Sequence, residues 1–388
     1  MNSLPKDNVF DIFSRIQIKD LSRLRAVCKD FNKYNNDPYL EDIRVKDEPT
    51  PITFQQLLGS NPNVHCQLTS FQAIEDAGST SVKVKKDQVM DFWHKDSAAF
   101  NRRPTNFVLG SCNGLVLFSP LINGNLGATL AVINPQSKQL YELPPIKISS
   151  SVRKLRLWSG GIGFDYSTNT FKVVCVVREK LVNNSRTNNL LVNEKLRTMV
   201  HDLRSGLWKE IAQVHSYPIT GEGVFSNGCL HWLVESIDYN YRPPMDEGKQ
   251  VVRFNVKKEE FELIDLPKRE DYGWINEQLV DLNGDVGYVY NDVEKAIVQV
   301  WILKGDEWVH LDRIQSNNGH TCVSGCWNKE GDLLFRCQEG KQMFVYDKKT
   351  RDLKEVDREE ECEASIRMYR NSLLSIHGFN SNAYSIKC

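Results

Sequence analysis

Ten cysteines and eight histidines are the side chains best suited to nucleophilic, acid–base or metal chemistry in this 388-residue chain, and their spacing assigns them none of it. The cysteines (Cys28, Cys66, Cys112, Cys175, Cys229, Cys322, Cys326, Cys337, Cys362 and Cys388) are scattered and follow no secretion signal, which reads as free thiols in a reducing compartment. His320, Cys322, Cys326 and Cys337 form the one metal-like cluster. Their spacing fits no standard zinc module, and a strand through them would separate the side chains. Cys112 stands before an Asn-Gly turn and Cys229 before Leu230-His231; both read as small buried thiols, and His231 as a hydrogen-bonded strand residue. The chain has no G-x-S-x-G elbow, P-loop or dinucleotide fingerprint. No catalytic residue, metal or cofactor is expected. What remains is recognition. Three stretches are longer than a turn requires, Arg178 to Arg197, Ser236 to Gln250 and Pro267 to Glu277. The second carries Tyr239, Tyr241 and Arg242, residue types favoured as interface anchors, and is the candidate protein-binding loop; the alternative is an exposed linker.

Such loops need a rigid frame, and from Phe107 onward the chain supplies short β-like runs punctuated by turns. One unit is an apolar run, an Asn-Gly-like turn and a second apolar run, at Asn113-Gly114, Asn227-Gly228, Asn283-Gly284, Glu330-Gly331 and near Asn371. Asn and Gly best tolerate the positive φ that a tight hairpin turn demands. A second unit returns through an aromatic or aliphatic residue, as at Trp208, Phe261, Trp308 and Leu353. Their alternation gives a period on the order of 45 to 55 residues, the span of four strands in a propeller blade. The rival architecture is a β-sandwich or two stacked β-domains. Trp208, Trp232, Phe261, Trp301, Trp308 and Trp327 read as core packing.

The first 45 residues differ in character. Val9, Ile12, Phe13 and Ile16 recur at helical spacing after Pro5, and Leu21, Leu24, Val27, Cys28 and Phe31 form a second stripe that Asp20 is placed to cap. So small a unit cannot cover its own aliphatic surface, so a partner or the following domain must. Residues 46 to 106 are mixed, with helix-breaking Pro49, Pro51 and Pro62, and are expected to connect the two parts and hold possible first strands.

Composition narrows the function classes. Lys plus Arg (49) and Asp plus Glu (50) cancel, and the short basic runs Lys83 to Lys86 and Lys257 to Lys258 lack aromatic platforms, so no nucleic-acid partner is expected. No run approaches the ~20 apolar residues of a membrane span, and no membrane partner is expected. The expected setting is cytoplasmic or nuclear.

The run Leu4-Pro5-Lys6-Asp7-Asn8-Val9-Phe10-Asp11-Ile12-Phe13, then Asp20-Leu21-Ser22-Arg23-Leu24-Arg25-Ala26-Val27-Cys28, then Asp37-Pro38, resembles the plant form of the F-box motif. Gln17 and Phe31 depart from it, standing where the family usually has proline and tryptophan. The resemblance implies a three-helix unit that binds a Skp-type adaptor, and through it cullin and RING subunits. Leu4, Pro5, Val9, Ile12, Leu21, Leu24 and Val27 would form the adaptor-facing surface or its immediate support. Further on, Gly110-Ser111-Cys112-Asn113-Gly114-Leu115, Ile133-Asn134-Pro135, Gly161-Ile162-Gly163-Phe164-Asp165 and Asn227-Gly228-Cys229-Leu230-His231-Trp232 resemble the kelch-like F-box-associated domain. The expected fold is α+β and multidomain: an F-box over 1–45, a connecting region over 46–106, and an all-β propeller-like domain over 107–388 with about six blades. The function implied is substrate recognition in an SCF-type ubiquitin ligase, without catalysis of its own, recruiting a target for ubiquitination and degradation. Two rivals stand beside it: a kelch-like scaffold acting without the ligase, and a propeller enzyme, which would need a convergent polar pocket on the ring axis.

Overall fold

The computed structural model describes residues 4–16, 18–24, 26–35, 37, 40, 49–57, 63–74, 81–95, 108–119, 130–135, 138–146, 152–181, 194–211, 219–234, 250–268, 275–316, 321–337, 342–357 and 366–371. Three helices open the chain: α1 (Lys6–Ser14), α2 (Ile18–Leu24) and α3 (Lys29–Asn35). Pro5 sits one residue ahead of α1, where its carbonyl accepts the N–H groups of Asn8 and Val9 at 3.1 and 3.2 Å. Asp20 does not cap α2, because the helix begins two residues earlier. It lies in the first turn, where its charge favours the helix dipole, and it pairs with Arg23 at 3.1 Å. Val9, Phe10, Phe13, Leu21 and Leu40 form the helical core, with Ile16, Leu24, Phe31 and Tyr34 packed around it. Phe31 meets Phe13 edge-on at 5.2 Å, so an aromatic fills that place despite the missing tryptophan.

Beyond the helices the described residues are mostly strand and turn. Residues 46 to 106 hold β1 (Thr50–Leu57), β2 (Asn63–Ile74) and β3 (Ser81–Lys95). Antiparallel runs of four follow: β4 (Val108–Cys112), β5 (Leu115–Phe118), β6 (Ala131–Asn134) and β7 (Gln139–Glu142), then β8 (Val152–Asp165), β9 (Thr170–Leu181), β10 (Glu194–Asp202) and β11 (Leu207–Ile211). Next come β12 (Ile219–Ser226), β13 (Cys229–Val234), β14 (Gln250–Asn255) and β15 (Glu260–Asp265), and β16 (Ile275–Leu282), β17 (Asp285–Asp292), β18 (Ile297–Lys304) and β19 (Glu307–Gln315). Last are β20 (Thr321–Cys326), β21 (Leu333–Cys337), β22 (Met343–Asp347) and β23 (Asp352–Asp357), with β24 (Ile366–Tyr369) pairing back onto β1 in the register Tyr369 to Thr50. A late strand thus completes a run begun by the earliest three.

Each run buries both faces by packing on its neighbours. Leu115 and Leu117 meet Ile162, Phe164 and Val173; Val174 and Val200 meet Trp232 and Phe254; Val224 and Val251 meet Val286 and Tyr288; Val280 and Val298 meet Val323 and Phe335. Leu334 and Val345 then meet Phe71, Val84 and Ile366. Finally Ile52, Leu68, Met90 and Tyr369 pack on Val108, Val116 and Ile133 of the first run, which closes the ring. Among the described residues each run packs on the runs beside it, which is why a four-strand unit too small to stand alone is stable here.

Two turn chemistries set the hairpins. The Asn-Gly pairs adopt positive φ at both positions: 42° and 75° at Asn113-Gly114, 50° and 75° at Asn227-Gly228, 59° and 91° at Asn283-Gly284. In the other class an Asp or Asn ends the strand and its side-chain oxygen accepts the turn's N–H groups. Asp202 takes those of Arg204 and Ser205, Asn255 those of Lys257 and Lys258, Asp347 those of Lys349 and Thr350. The hairpin expected around Asn371 falls largely outside the described residues. Of the aromatics expected in the core, Trp232 and Phe261 are buried, whereas Trp208, Trp301, Trp308 and Trp327 are half-buried. Two of these clamp one run to another through the indole N–H: Trp208 to the Pro144 carbonyl at 2.6 Å and Trp308 to the Asp265 carbonyl at 3.0 Å. Close approach at the ring centre needs glycine: a Cβ on Gly223 would lie 2.9 Å from both the Gly161 Cα and the Trp232 indole nitrogen.

Candidate functional site

The helical unit divides its apolar residues in two. Val9 and Leu21 are buried and Leu24 packs against them, so these three support the unit from inside. Leu4, Ile12 and Val27 instead stand out from it, 59%, 47% and 64% exposed, with Pro5 also exposed. Val27 leaves the stripe predicted for it because α2 ends at Leu24 and the chain turns, the Val27 N–H reaching only the Leu24 carbonyl. Phe13 of the predicted stripe joins the helical core together with Phe10 and Leu40, which sequence reasoning left unassigned; the three-residue spacing of the two phenylalanines was the available signal for Phe10. The surface left over is apolar, flanked by exposed ion pairs of Lys6 with Asp37 and Arg15 with Asp11.

On the ring two features offer contact. A cleft of about 890 Å³ lies where the start of β1, the end of β2 and the start of β3 meet the turns after β20 and β22. Its lining includes Pro51, Phe71, Ile74 and Trp327, with Lys329 and Lys349 among its charged groups. Towards the ring centre, Arg367 on β24 pairs with Glu222 on β12. Arg336 on β21 stands opposite Cys322 on β20, and the Asn276 amide donates to that thiol at 3.5 Å. Burial and the nearby Arg367 charge lower the Arg336 pKa. Burial acts the same way on Arg367, but Glu222 outweighs it and raises the group above its ordinary value. Tyr239, Tyr241, Arg242 and His320 lie outside the described residues, as does most of the long stretch after Arg178.

The F-box associated beta propeller domain family matches residues 63–379, and the F-box-like family matches residues 1–40. This chain belongs to the F-box associated beta propeller family. Among its relatives in Arabidopsis thaliana, F-box protein CPR1 is 26% identical over 341 residues, spanning 81% of this chain and 74% of that one. The putative F-box protein At3g10240 is 25% identical over 363 residues, 89% and 83% of the two chains. A solved periplasmic gluconolactonase of Pseudomonas aeruginosa aligns over 84% of this chain and all of its own at 10% identity with a TM-score of 0.39, too slight a likeness to bear on activity.

Several reactive groups of this F-box protein are occupied with packing. Burial pushes the Cys326 thiol up to about 12 and raises Cys175 further, so neither is a thiolate at neutral pH. His231 Nδ1 lies 3.2 Å from the Val224 carbonyl, and burial holds its pKa down to about 4. Among the described residues no group of His, Cys, Asp and Glu is placed to hold a metal, and no helix is long and apolar enough to cross a membrane.

Proposed function

We propose that this protein is the substrate-recognition subunit of an SCF-type ubiquitin ligase. The observation that carries the reading is the exposure of Leu4, Ile12 and Val27 on a helical unit whose core is already closed by Phe10, Phe13, Leu21 and Leu40. Apolar side chains left over by a complete core suit an interface, and the F-box-like match over residues 1–40 supports a Skp-type adaptor as its occupant. In this reading the helices of 1–45 hold the adaptor, and β4–β7, β8–β11, β12–β15, β16–β19, β20–β23 and β24 with β1–β3 are the six blades of a kelch-like receptor. The propeller presents target lysines to the charged conjugating enzyme, so the rate comes from proximity and the receptor supplies no chemistry of its own. Tyr239, Tyr241 and Arg242 remain the proposed target contacts.

The test is capture of a Skp-type adaptor by the full-length protein and by an Ile12→Asp, Val27→Asp double variant. Both positions are exposed, so charge there leaves the helical core intact; Leu24 is avoided because it packs on that core. Circular dichroism reads the fold of both proteins. Capture by the parent and loss in the variant is the expected result. A folded parent that captures no adaptor would transfer the reading to a scaffold acting without the ligase.

A further inference from the structure

Near the ring centre two guanidinium groups stand near one carboxylate, which pairs with only one of them. Arg367 gives Nε and Nη2 to Glu222 and its Nη1 to the Ile366 carbonyl at 2.9 Å, so that cation has a counter-ion and a fixed orientation. Arg336 differs. Its hydrogen bond goes to the Cys322 thiol, a weak acceptor, and its Nε is buried without an acceptor. Among the described residues no carboxylate forms an ion pair with Arg336, so the three side chains leave a net positive charge inside the protein. A buried donor without a partner, on a cation without a counter-ion, marks a place where a bound ion belongs.

The surroundings suit an anion. Glu222 and Arg367 keep 24% exposure each and Arg336 is half-buried, so the cluster is reached from solvent. β12 and β24 come from runs far apart in the chain, and their ion pair fixes Arg367 beside Arg336 as a second, oriented cation. The Asn276 amide, held by a single contact to the Cys322 thiol, is a further donor within the same group.

We infer that the ring centre binds a small oxyanion, a carboxylate or a phosphate, on the guanidinium of Arg336, with Arg367 as second cation and Glu222 as the group that positions it. A guanidinium offers two parallel N–H donors to such an oxyanion, a geometry that chloride does not fill. The site is independent of the adaptor-binding reading: it requires only the folded propeller, and adaptor capture does not enter its test.

The experiment is calorimetric titration of the full-length protein with inorganic phosphate, and separately with succinate, at constant ionic strength maintained with chloride. Thermal unfolding followed by tryptophan fluorescence runs in parallel. Saturable binding near one site per chain and a rise in unfolding temperature are expected with at least one probe. Preference for phosphate indicates a free phosphorylated ligand; preference for succinate indicates an acidic side chain of the target. Arg336→Gln is expected to weaken binding about ten- to a hundredfold, the loss of one charge-assisted bond. Its unfolding temperature without anion is expected to be no lower than the parent's, since an unpaired buried cation has been removed. Arg336→Lys keeps the charge without the fork and should bind between the two, which keeps the test decisive if the glutamine variant does not fold. No saturable heat with either probe, or undiminished binding in both variants, would overturn the inference.

Discussion

The two parts of this chain handle apolar surface in opposite ways. The helical unit leaves Leu4, Ile12 and Val27 exposed within its first 27 residues, whereas the far larger ring exposes Ile74, Tyr166, Leu207, Leu263 and Val309 singly, on separate strands and turns. The named ion pairs differ in the same sense. Lys6–Asp37, Arg15–Asp11 and Arg23–Asp20 are exposed and contribute little to stability, while Lys172 is buried and binds Asp165 and Glu259, both at 3.1 Å, and the Val256 carbonyl at 2.9 Å. A ring can close on itself; a unit of about 40 residues cannot. The difference separates a part that covers nearly all of its apolar surface from a part that leaves several apolar side chains exposed together in sequence.

The harshest way to break that contrast is Lys172→Met. It leaves the buried Asp165 carboxylate, held down to about 2 against its burial by bonds from Ser167, Lys172 and Thr168, without its cation. A loss of about 3–5 kcal/mol is expected in urea unfolding. Tryptophan fluorescence reads it from the ring alone, because all eight tryptophans lie at or beyond residue 93. Adaptor capture under conditions where the ring stays folded should be unchanged.

Acid comes next. Burial holds His201 and His231 at about 4, below the unfolded value of 6.5, so the unfolded chain binds more protons between those limits. The stability that each neutral ring contributes is complete above pH 6.5 and is lost progressively as pH falls towards 4, roughly 3 kcal/mol per histidine. His201→Phe, which preserves the edge-on contact with Trp208, should flatten part of the ring's pH–stability curve; an unchanged slope would refute this.

A smaller effect sharpens the role of the turns. Gly228 has φ +75° with open space where a Cβ would stand, so Gly228→Ala isolates the backbone cost, about 1 kcal/mol in the same urea experiment. Smallest is the pair Leu207→Ser and Val27→Ser. Both residues are exposed, and each change should alter stability by less than about 0.5 kcal/mol. Only the second should weaken adaptor capture. Equal effects of the two on capture would erase the distinction between scattered and purposeful exposure.

Much of the fold was legible because its signals are local. Asn113-Gly114, Asn227-Gly228 and Asn283-Gly284 announce hairpins by a backbone requirement within two residues, and all three turns are where the sequence puts them. The Asp and Asn residues that end strands before the other turns were passed over, although Asp202, Asn255 and Asp347 occupy equivalent places. Helical periodicity placed Val9 and Ile12 in one stripe and Leu21, Leu24 and Val27 in a second, and the family resemblance gathered all five on or under one surface; neither separated the buried from the exposed, which for Val27 depends on where α2 stops. The half-buried Trp208 and Trp308 could not be told from core, since their carbonyl partners at Pro144 and Asp265 are remote in sequence.

By itself, then, the sequence determined the helical start, the strand-and-turn remainder, the hairpin turns and the family resemblance, all of which rest on residues within a few positions of one another. Only the tertiary structure decided that β24 completes the sheet of β1–β3, which of the helical aliphatics face outward, and that Arg336, Arg367 and Glu222 meet near the ring centre. Burial and charge balance are sums over neighbours that the chain brings together only by closing, and no local pattern encodes them.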